Sequence, residues 1–229
     1  MNHDRPRLDN EAHRGSRIYG KAVLWGYDAV VLGFSNHVAW RCPTGAMLET
    51  YQELVSLRHL DVGVGTGWYL SRTELPAGTE VTLLDLHPQA LENASARIEE
   101  ASPGVHVERV VANALEPFPF EPGSFDSIST NYLLHCLPGG WERKGAIFEN
   151  LATALSDDGV LFGATILGKG VRHNLPGRAL MALYNRMDIF DNREDDAAGL
   201  ERALRASFAD VQLEASGTVV RFRATHPRR

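Results

Sequence analysis

The chain has 229 residues, of which 44% are hydrophobic and 23% are charged, and its formal net charge is −6. This length and composition predict one globular domain with a substantial core, and they exclude collagen, coiled coils and disordered chains. The negative charge provides no general attraction to nucleic acid or anionic lipid. The two cysteines, Cys42 and Cys136, are too few for a disulfide framework, so we expect a reducing, cytoplasmic location.

The first 57 residues are expected to form a tail and a helical cap. Residues 1–17 are polar, lack periodicity and do not resemble a signal peptide, which predicts a frayed tail. From residue 18 to residue 40 the sequence is aromatic and aliphatic with three interrupting glycines, which predicts one or two short helices. A helical pattern follows over residues 47–55. We expect residues 18–42 to act as a mobile lid over a site in the following domain.

Strand and helix patterns alternate through the middle of the chain. Strands are predicted at residues 58–64, 80–85, 105–111, 124–130 and 159–166, and helices at residues 68–75, 88–99 and 142–155. Such alternation is typical of a parallel sheet with helices on both faces. Two further strand-like runs, residues 209–214 and 218–224, are separated by three residues only, a link that joins antiparallel strands. The sequence therefore predicts an α/β domain over residues 58–229, with a doubly wound, mostly parallel seven-stranded sheet and an antiparallel last strand.

A glycine-rich turn follows the first predicted strand. The stretch DVGVGTG places Gly63, Gly65 and Gly67 at alternate positions, with Asp61 two residues before the first of them. Such a turn lets backbone amides approach a ligand, and a following helix would direct its positive N-terminal end at an anion. The dinucleotide-binding pattern GxGxxG would require a glycine where Trp68 stands.

The stretch DVGVGTG resembles the first motif of the class I S-adenosylmethionine (SAM) dependent methyltransferases, DxGxGxG. Later segments resemble further landmarks of that family in the same order: LLDLHPQALENA at 83–94, ANAL at 112–115, SFD at 124–126, NYLLHCLP at 131–138 and SDDG at 156–159. The resemblance covers roughly residues 55–225 and includes the antiparallel last strand. It implies a Rossmann-like methyltransferase fold, SAM as cofactor and S-adenosyl-L-homocysteine (SAH) as product.

The resemblance also implies residues for the adenosine half of the cofactor. Asp85 would accept hydrogen bonds from both ribose hydroxyls, which one carboxylate can do at once. Leu86 and Leu115 would cover the faces of adenine. Asn113 would accept from the exocyclic amine, and the backbone amide of Ala114 would donate to a ring nitrogen.

The methionine half would lie over the glycine turn, beside Asp61. Its carboxylate would face the turn, and its ammonium would meet carbonyls near Gly63 and Asn131. Because a sulfonium attracts aromatic faces, Tyr27 and Trp40 are expected to close over the sulfur.

Two residues are candidate general bases. Methyl transfer needs a base only when the acceptor must lose its proton early, and His135 and Tyr132 then stand nearest. A structural alternative remains open for His135, as a histidine packed under its loop. Likewise Asp85 could be the N-cap of the helix that begins at Pro88, and Asn113 could hydrogen-bond to backbone groups of its own loop.

An insertion at about residues 168–192 is expected to cover the substrate. The residues expected to line the acceptor cavity are Trp25, Phe34, Tyr184 and Met187. No metal is predicted, because the residues after the fourth strand lack the acidic ligands of the family's metal-dependent members. The NPPY signature of enzymes that methylate nucleobases is also absent at Asn131.

The favoured function is methyl transfer from SAM to a small, fairly apolar molecule, in secondary metabolism. The alternatives are aminopropyl transfer or SAM-assisted cyclisation on the same fold, a non-catalytic SAM-binding protein, and an NAD(P) reductase. No nucleic-acid or membrane partner is expected, and the protein would be a monomer or a homodimer.

Overall fold

The computed structural model describes residues 35–228, which form a seven-stranded sheet between helices. The strands are β1 Arg58–Val62, β2 Glu80–Asp85, β3 His106–Val111, β4 Phe125–Asn131, β5 Leu155–Ile166, β6 Phe208–Ser216 and β7 Val219–Pro227. The helices are α1 Thr44–Leu54, α2 Pro88–Ala101, α3 Trp141–Lys144, α4 Ala146–Ala154, α5 Leu175–Arg186 and α6 Ala197–Ser207. Within the described residues no helix is long and apolar enough to cross a bilayer.

The strand order is β3-β2-β1-β4-β5-β7-β6, which confirms the predicted sheet. Strands β1 to β5 are parallel, and β7 runs antiparallel to both β5 and β6. The chain moves outward from β1 to β3 and then returns to place β4 on the other side of β1. This reversal opens a crevice at the carboxyl ends of β1 and β4, where open α/β sheets bind their ligands.

Each face of the sheet has its own apolar core. One core packs α4 and α6 against residues such as Leu60 and Ile128. The other packs α1 and α2 against residues such as Val81 and Phe162. Because side chains of a strand alternate between faces, β1 directs Leu60 to the first core and its neighbours His59 and Asp61 to the second.

The helix predicted at residues 68–75 is wrong. Only a single 3₁₀ turn, Leu70–Arg72, follows the glycine turn. The Thr73 hydroxyl donates to the Tyr69 carbonyl and the Thr73 amide donates to the Leu70 carbonyl, a 3₁₀ pattern, and Pro76 follows without an N–H to extend it. The expected contribution of a helix N-terminus to anion binding is therefore lost, and the backbone amides of the turn remain.

The described chain begins beside the carboxyl edge of β5. The Asn174 side chain donates to the Val38 carbonyl over 2.7 Å, and the Thr218 amide donates to the Trp40 carbonyl over 2.9 Å. The helical pattern after this segment is confirmed as α1. The helices predicted before residue 35, and Trp25, Tyr27 and Phe34 with them, lie outside the described residues.

Candidate functional site

The glycine turn lies at the carboxyl end of β1, and its three glycines are required for different reasons. Gly63, Gly65 and Gly67 all have positive φ, at 76°, 53° and 67°. A Cβ on Gly63 would lie 2.9 Å from Leu133, and one on Gly67 would lie 2.9 Å from Ala94. A Cβ on Gly65 would meet no atom within 4 Å. The middle glycine therefore faces open space, where a ligand can approach the backbone.

Asp85 ends β2 next to this turn. Its Oδ1 accepts from the His87 amide over 2.9 Å, one residue before α2. Burial raises the pKa of the Asp85 carboxyl, while backbone amides, including that of Val64 in the glycine turn, oppose the rise. Asp85 is thus not the residue that caps α2, and its carboxylate is held by backbone amides at the edge of the crevice.

The residues predicted around adenine follow β2 and β3. Leu86 and Asn113 are half-buried, whereas Ala114 is buried beside the first core. The Asn113 Oδ1 accepts from the Leu115 amide over 3.0 Å, as the loop-stabilising alternative requires. A carbonyl oxygen has two lone pairs, so this bond leaves Asn113 able to accept from a ligand.

Asp61 is buried in β1 and receives two hydrogen bonds on the same oxygen. The Ser129 hydroxyl donates to Oδ1 over 2.6 Å, and the Tyr51 hydroxyl donates to Oδ1 over 3.4 Å. Burial raises the pKa of Asp61 to about 6, and repulsion from Asp85 adds to the rise. Two carboxylates are therefore held close together in the crevice, an arrangement that favours a cationic ligand.

The loop after β4 carries the two candidate bases. Tyr132 has φ of 57°, and its ring lies edge-on to that of His135 with centroids 5.8 Å apart. Burial raises the pKa of the Tyr132 hydroxyl well above its usual range, and the nearby Tyr69 and Cys42 add to the effect. Just before this loop, the side-chain nitrogen of Asn131 is buried without a hydrogen bond to a described residue.

His135 is 3% exposed, and burial with the nearby Lys144 charge lowers its pKa to about 3. Its Nδ1 accepts from the Ile166 amide over 3.4 Å, which assigns the proton of the neutral ring to Nε2. None of the hydrogen bonds that His135 makes with the described residues uses Nε2. This geometry suits a hydrogen-bond donor better than a proton acceptor.

Aromatic rings form a wall beside His135. Phe190 lies 4.4 Å from the His135 ring, with Tyr184 at 4.9 Å and Trp40 at 6.2 Å from Phe190. Trp40 is buried in this wall. Met187, which was predicted to line the acceptor cavity, is exposed, and its assignment stays a prediction.

A buried ion pair fixes this wall to α3 and to the loop after β4. The Lys144 Nζ lies 2.5 Å from the Asp195 carboxylate and donates to the Asp191 carbonyl over 2.7 Å. The Asp191 amide in turn donates to the His135 carbonyl over 2.9 Å. Because Asp191 follows Phe190 directly, these bonds hold the Phe190 ring against His135.

Four residues of the site were not predicted: Tyr51, His59, Ser129 and Phe190. His59 and Asp61 alternate along β1, and Ser127 and Ser129 alternate along β4, so both pairs place polar groups on one face of buried strands. That pattern indicates that the buried polar groups of these strands have hydrogen-bond partners, since polar groups in the interior need them. Among residues 35–228 no cluster of three or more His, Cys, Asp or Glu is arranged to bind a metal ion.

Comparison with known proteins decides the family. A family model described as a methyltransferase domain matches residues 60–163. Methyltransferase aurB of Calcarisporium arbuscula is 39% identical over 224 residues, covering 92% of this chain and 96% of the relative. The chain belongs to the class I SAM-dependent methyltransferases.

Two further similarities agree with this assignment. The physcion biosynthesis cluster O-methyltransferase of Aspergillus chevalieri is 39% identical over 225 residues, covering 97% of this methyltransferase and 99% of the relative. The solved structure of the N-methyltransferase NodS from Bradyrhizobium japonicum WM9 with SAH has a TM-score of 0.55 at 16% identity, covering 80% of this chain and 84% of that one. This last likeness concerns the fold alone.

The site of this methyltransferase fits its cofactor. The open space at Gly65 would admit a ligand to the backbone, and the Asp85 carboxylate would be able to accept from ribose hydroxyls. The crowded carboxylates Asp61 and Asp85 favour the positive charge of the methionine moiety, and the orphan amide of Asn131 offers a donor. As a member of this family, the enzyme uses SAM.

Proposed function

We propose that this methyltransferase transfers a methyl group from SAM to a hydroxyl oxygen of a small, largely apolar molecule in secondary metabolism. The observation that carries the proposal is the aromatic wall of Trp40, Phe190 and Tyr184 beside His135, because aromatic rings bind flat apolar molecules. The name of the physcion-cluster relative supports oxygen as the atom methylated and secondary metabolism as the context.

The cofactor supplies a methyl group already activated by a sulfonium, so the residues of the chain mainly bind, orient and exclude water. In this proposal the glycine turn and Asp85 fix the cofactor in the crevice, with Asp61, Leu86, Asn113, Ala114, Leu115 and Asn131 around it. The aromatic wall then presents the acceptor oxygen to the methyl group from the side of β5.

Neither His135 nor Tyr132 is placed as a general base in this proposal. The Nδ1 of His135 is occupied by the Ile166 amide, and Tyr132 is kept protonated by burial. The Nε2–H of His135 instead donates to the acceptor oxygen and stabilises it once its proton has left to solvent. The acceptor is then a hydroxyl of intrinsic acidity, such as a phenol or an enol.

Incubation with labelled SAM and a panel of phenols, enols, amines and thiols tests the proposal, with mass spectrometry to locate the added group. We expect methylation of oxygen, and Asp85→Ala is the control that lacks the cofactor carboxylate. Methylation of nitrogen or carbon alone would overturn the assignment to oxygen, and a transferred aminopropyl group or a cyclised product would support the alternatives.

A pair of phenols with different acidity tests the role of His135. The pH at which kcat/KM rises should follow the pKa of each phenol, and His135→Gln, which retains a donor, should be faster than His135→Ala. A rise at the same pH for both phenols would show that a group of the enzyme removes the proton.

Three further expectations belong to this proposal. The net charge of −6 supports a site without a nucleic-acid partner. Both cysteines, Cys42 and Cys136, are free thiols, which supports a cytoplasmic location. A monomer or a homodimer remains the expected assembly, and light scattering in solution distinguishes them.

A further inference from the structure

A histidine is buried in the middle of the parallel sheet, below the cofactor site. His59 has no exposed surface, and in the register of β1 and β4 it lies opposite Ser127, while Asp61 lies opposite Ser129. Both serines are also fully buried. Polar groups are costly in such a position unless each is hydrogen-bonded, so the partners of His59 are informative.

These side chains form one continuous chain of hydrogen bonds. The Ser56 amide donates to the Ser127 hydroxyl over 2.8 Å, and that hydroxyl lies 2.8 Å from the Nδ1 of His59. On the other side of the ring, Nε2 lies 3.1 Å from the Ser129 hydroxyl, which donates to the Asp61 Oδ1 over 2.6 Å.

The positions of the protons follow from this connectivity. The single hydroxyl proton of Ser129 is donated to Asp61, so the Ser129 oxygen accepts a proton from the Nε2 of His59. A neutral ring with its proton on Nε2 accepts at Nδ1, from the Ser127 hydroxyl. Burial lowers the pKa of His59 to about 3, which keeps the ring neutral as this arrangement requires.

We propose that His59 is a positioning residue that holds Ser129 as a donor to Asp61 Oδ1, and thereby directs the other carboxylate oxygen at the ammonium group of the cofactor's methionine moiety. The proposal rests on the assignment of Asp61 to the cofactor site. Both hydrogen bonds that described residues give this carboxylate, from Ser129 and Tyr51, end on Oδ1, which leaves Oδ2 for a ligand.

An experiment with two ligands separates this role from a general structural one. SAH carries the ammonium group, whereas 5′-methylthioadenosine has the same adenosine and sulfur but lacks the amino-acid moiety. Calorimetry at neutral pH then measures the affinity of each variant for both ligands, and no methyl acceptor is needed. The result is therefore independent of which atom the enzyme methylates.

His59→Leu should weaken SAH binding about tenfold or more, the scale of one hydrogen bond to a charged group, with 5′-methylthioadenosine changed less than about twofold. His59→Gln should recover most of the loss, because its amide can accept from Ser127 and donate to Ser129. Ser129→Ala, which leaves the histidine in place, should show the same selective loss as His59→Leu.

The matched control is Phe162→Leu. The Phe162 ring stacks on His59 with centroids 6.0 Å apart and lies edge-on to Tyr51 at 5.2 Å, so this change loosens the same region without removing any hydrogen-bonding group. It should lower thermal stability and leave the ratio of the two affinities unchanged.

Equal losses for both ligands in His59→Leu and Ser129→Ala would overturn the proposal, and so would unchanged SAH affinity. Where His59→Leu does not fold, Ser129→Ala alone decides. In an Asp61→Asn background, His59→Leu should cause little further loss, because its effect passes through the Asp61 carboxylate.

Discussion

Replacing Asp61 by asparagine should make the ligand-free protein more stable and its cofactor affinity weaker. Asparagine can still accept from Ser129 and Tyr51 at the same position, so the hydrogen bonds on Oδ1 remain. What disappears is a buried negative charge beside a second carboxylate, Asp85. The wild-type protein maintains this charge for its ligand, at the expense of stability.

The pKa of Asp61 sets the size of this effect. Its rise from 3.8 to about 6 corresponds to roughly 3 kcal/mol lost from the folded state at neutral pH, as an upper bound. The penalty is absent below pH 4, where the carboxyl is protonated in both folded and unfolded states. It grows between about pH 4 and pH 6, where the unfolded chain ionises before the folded one, and stays constant above that range. In a chain of this size, Asp61→Asn should raise the Tm by several degrees at pH 8.

Thermal unfolding of the ligand-free protein between pH 4.5 and pH 8 measures this difference. The control is Asp126→Asn, at the other end of the same pair of strands, where the Arg58 ion pair lowers the pKa of Asp126. That exposed carboxylate stabilises the fold slightly wherever the pH lies above its ordinary pKa of 3.8, so its loss should lower the Tm by a similar small amount at pH 4.5 and at pH 8. An Asp61→Asn protein that melts below the wild type at pH 8, or a difference independent of pH, would refute the reasoning.

Three other predictions concern the cofactor site and its cover. Asp85→Ala should weaken SAM binding about 30- to 1,000-fold in calorimetry, since two charge-assisted hydrogen bonds are worth on the order of 2–4 kcal/mol, and an unchanged affinity contradicts the assignment. Gly65→Val should stay folded by circular dichroism and lose SAM binding. The control Gly67→Val, which also has a positive φ, should unfold because its side chain would clash with Ala94. A Gly65→Val protein that binds SAM like the parent would show that the turn has a structural role only. Residues 18–42 should gain protection from hydrogen exchange when SAH binds, whereas a permanently docked helix would be protected in both states.

The positions of the strands along the chain, and the antiparallel last strand, were predictable because their signals are local. The strand-like runs of the parallel sheet alternate with helical patterns and turn residues, and the three-residue link before Thr218 permits only an antiparallel partner. The glycine turn was equally visible, since its three positive φ angles require the residue type that the sequence shows there. A positive φ favours glycine, so a run of alternating glycines in the sequence indicates this backbone conformation directly.

The errors have two causes, one within the segment itself and one in residues far away along the chain. The helix predicted at residues 68–75 fails because the Thr73 hydroxyl and Pro76 compete with its backbone bonds. The alternating polar residues of β1 and β4 are visible in the sequence, but their hydrogen bonds to one another are not, because two serines 68 and 70 residues after His59 reach it only through the register of two strands. Pairing in a parallel sheet has no local sequence signal.

The hydrogen bonds between Trp40 and Thr218 have a consequence for the order in which the enzyme is made. The two residues are 178 positions apart, so the segment around Trp40 leaves the ribosome long before its partner on β7 exists. The cofactor crevice is formed by β1 to β4. The aromatic wall also depends on the turn between β6 and β7, because Thr218 in that turn holds Trp40 in place. A growing polypeptide therefore acquires its nucleotide pocket first and its acceptor side last, and a chain that stopped before Thr218 would lack both hydrogen bonds to the Trp40 carbonyl.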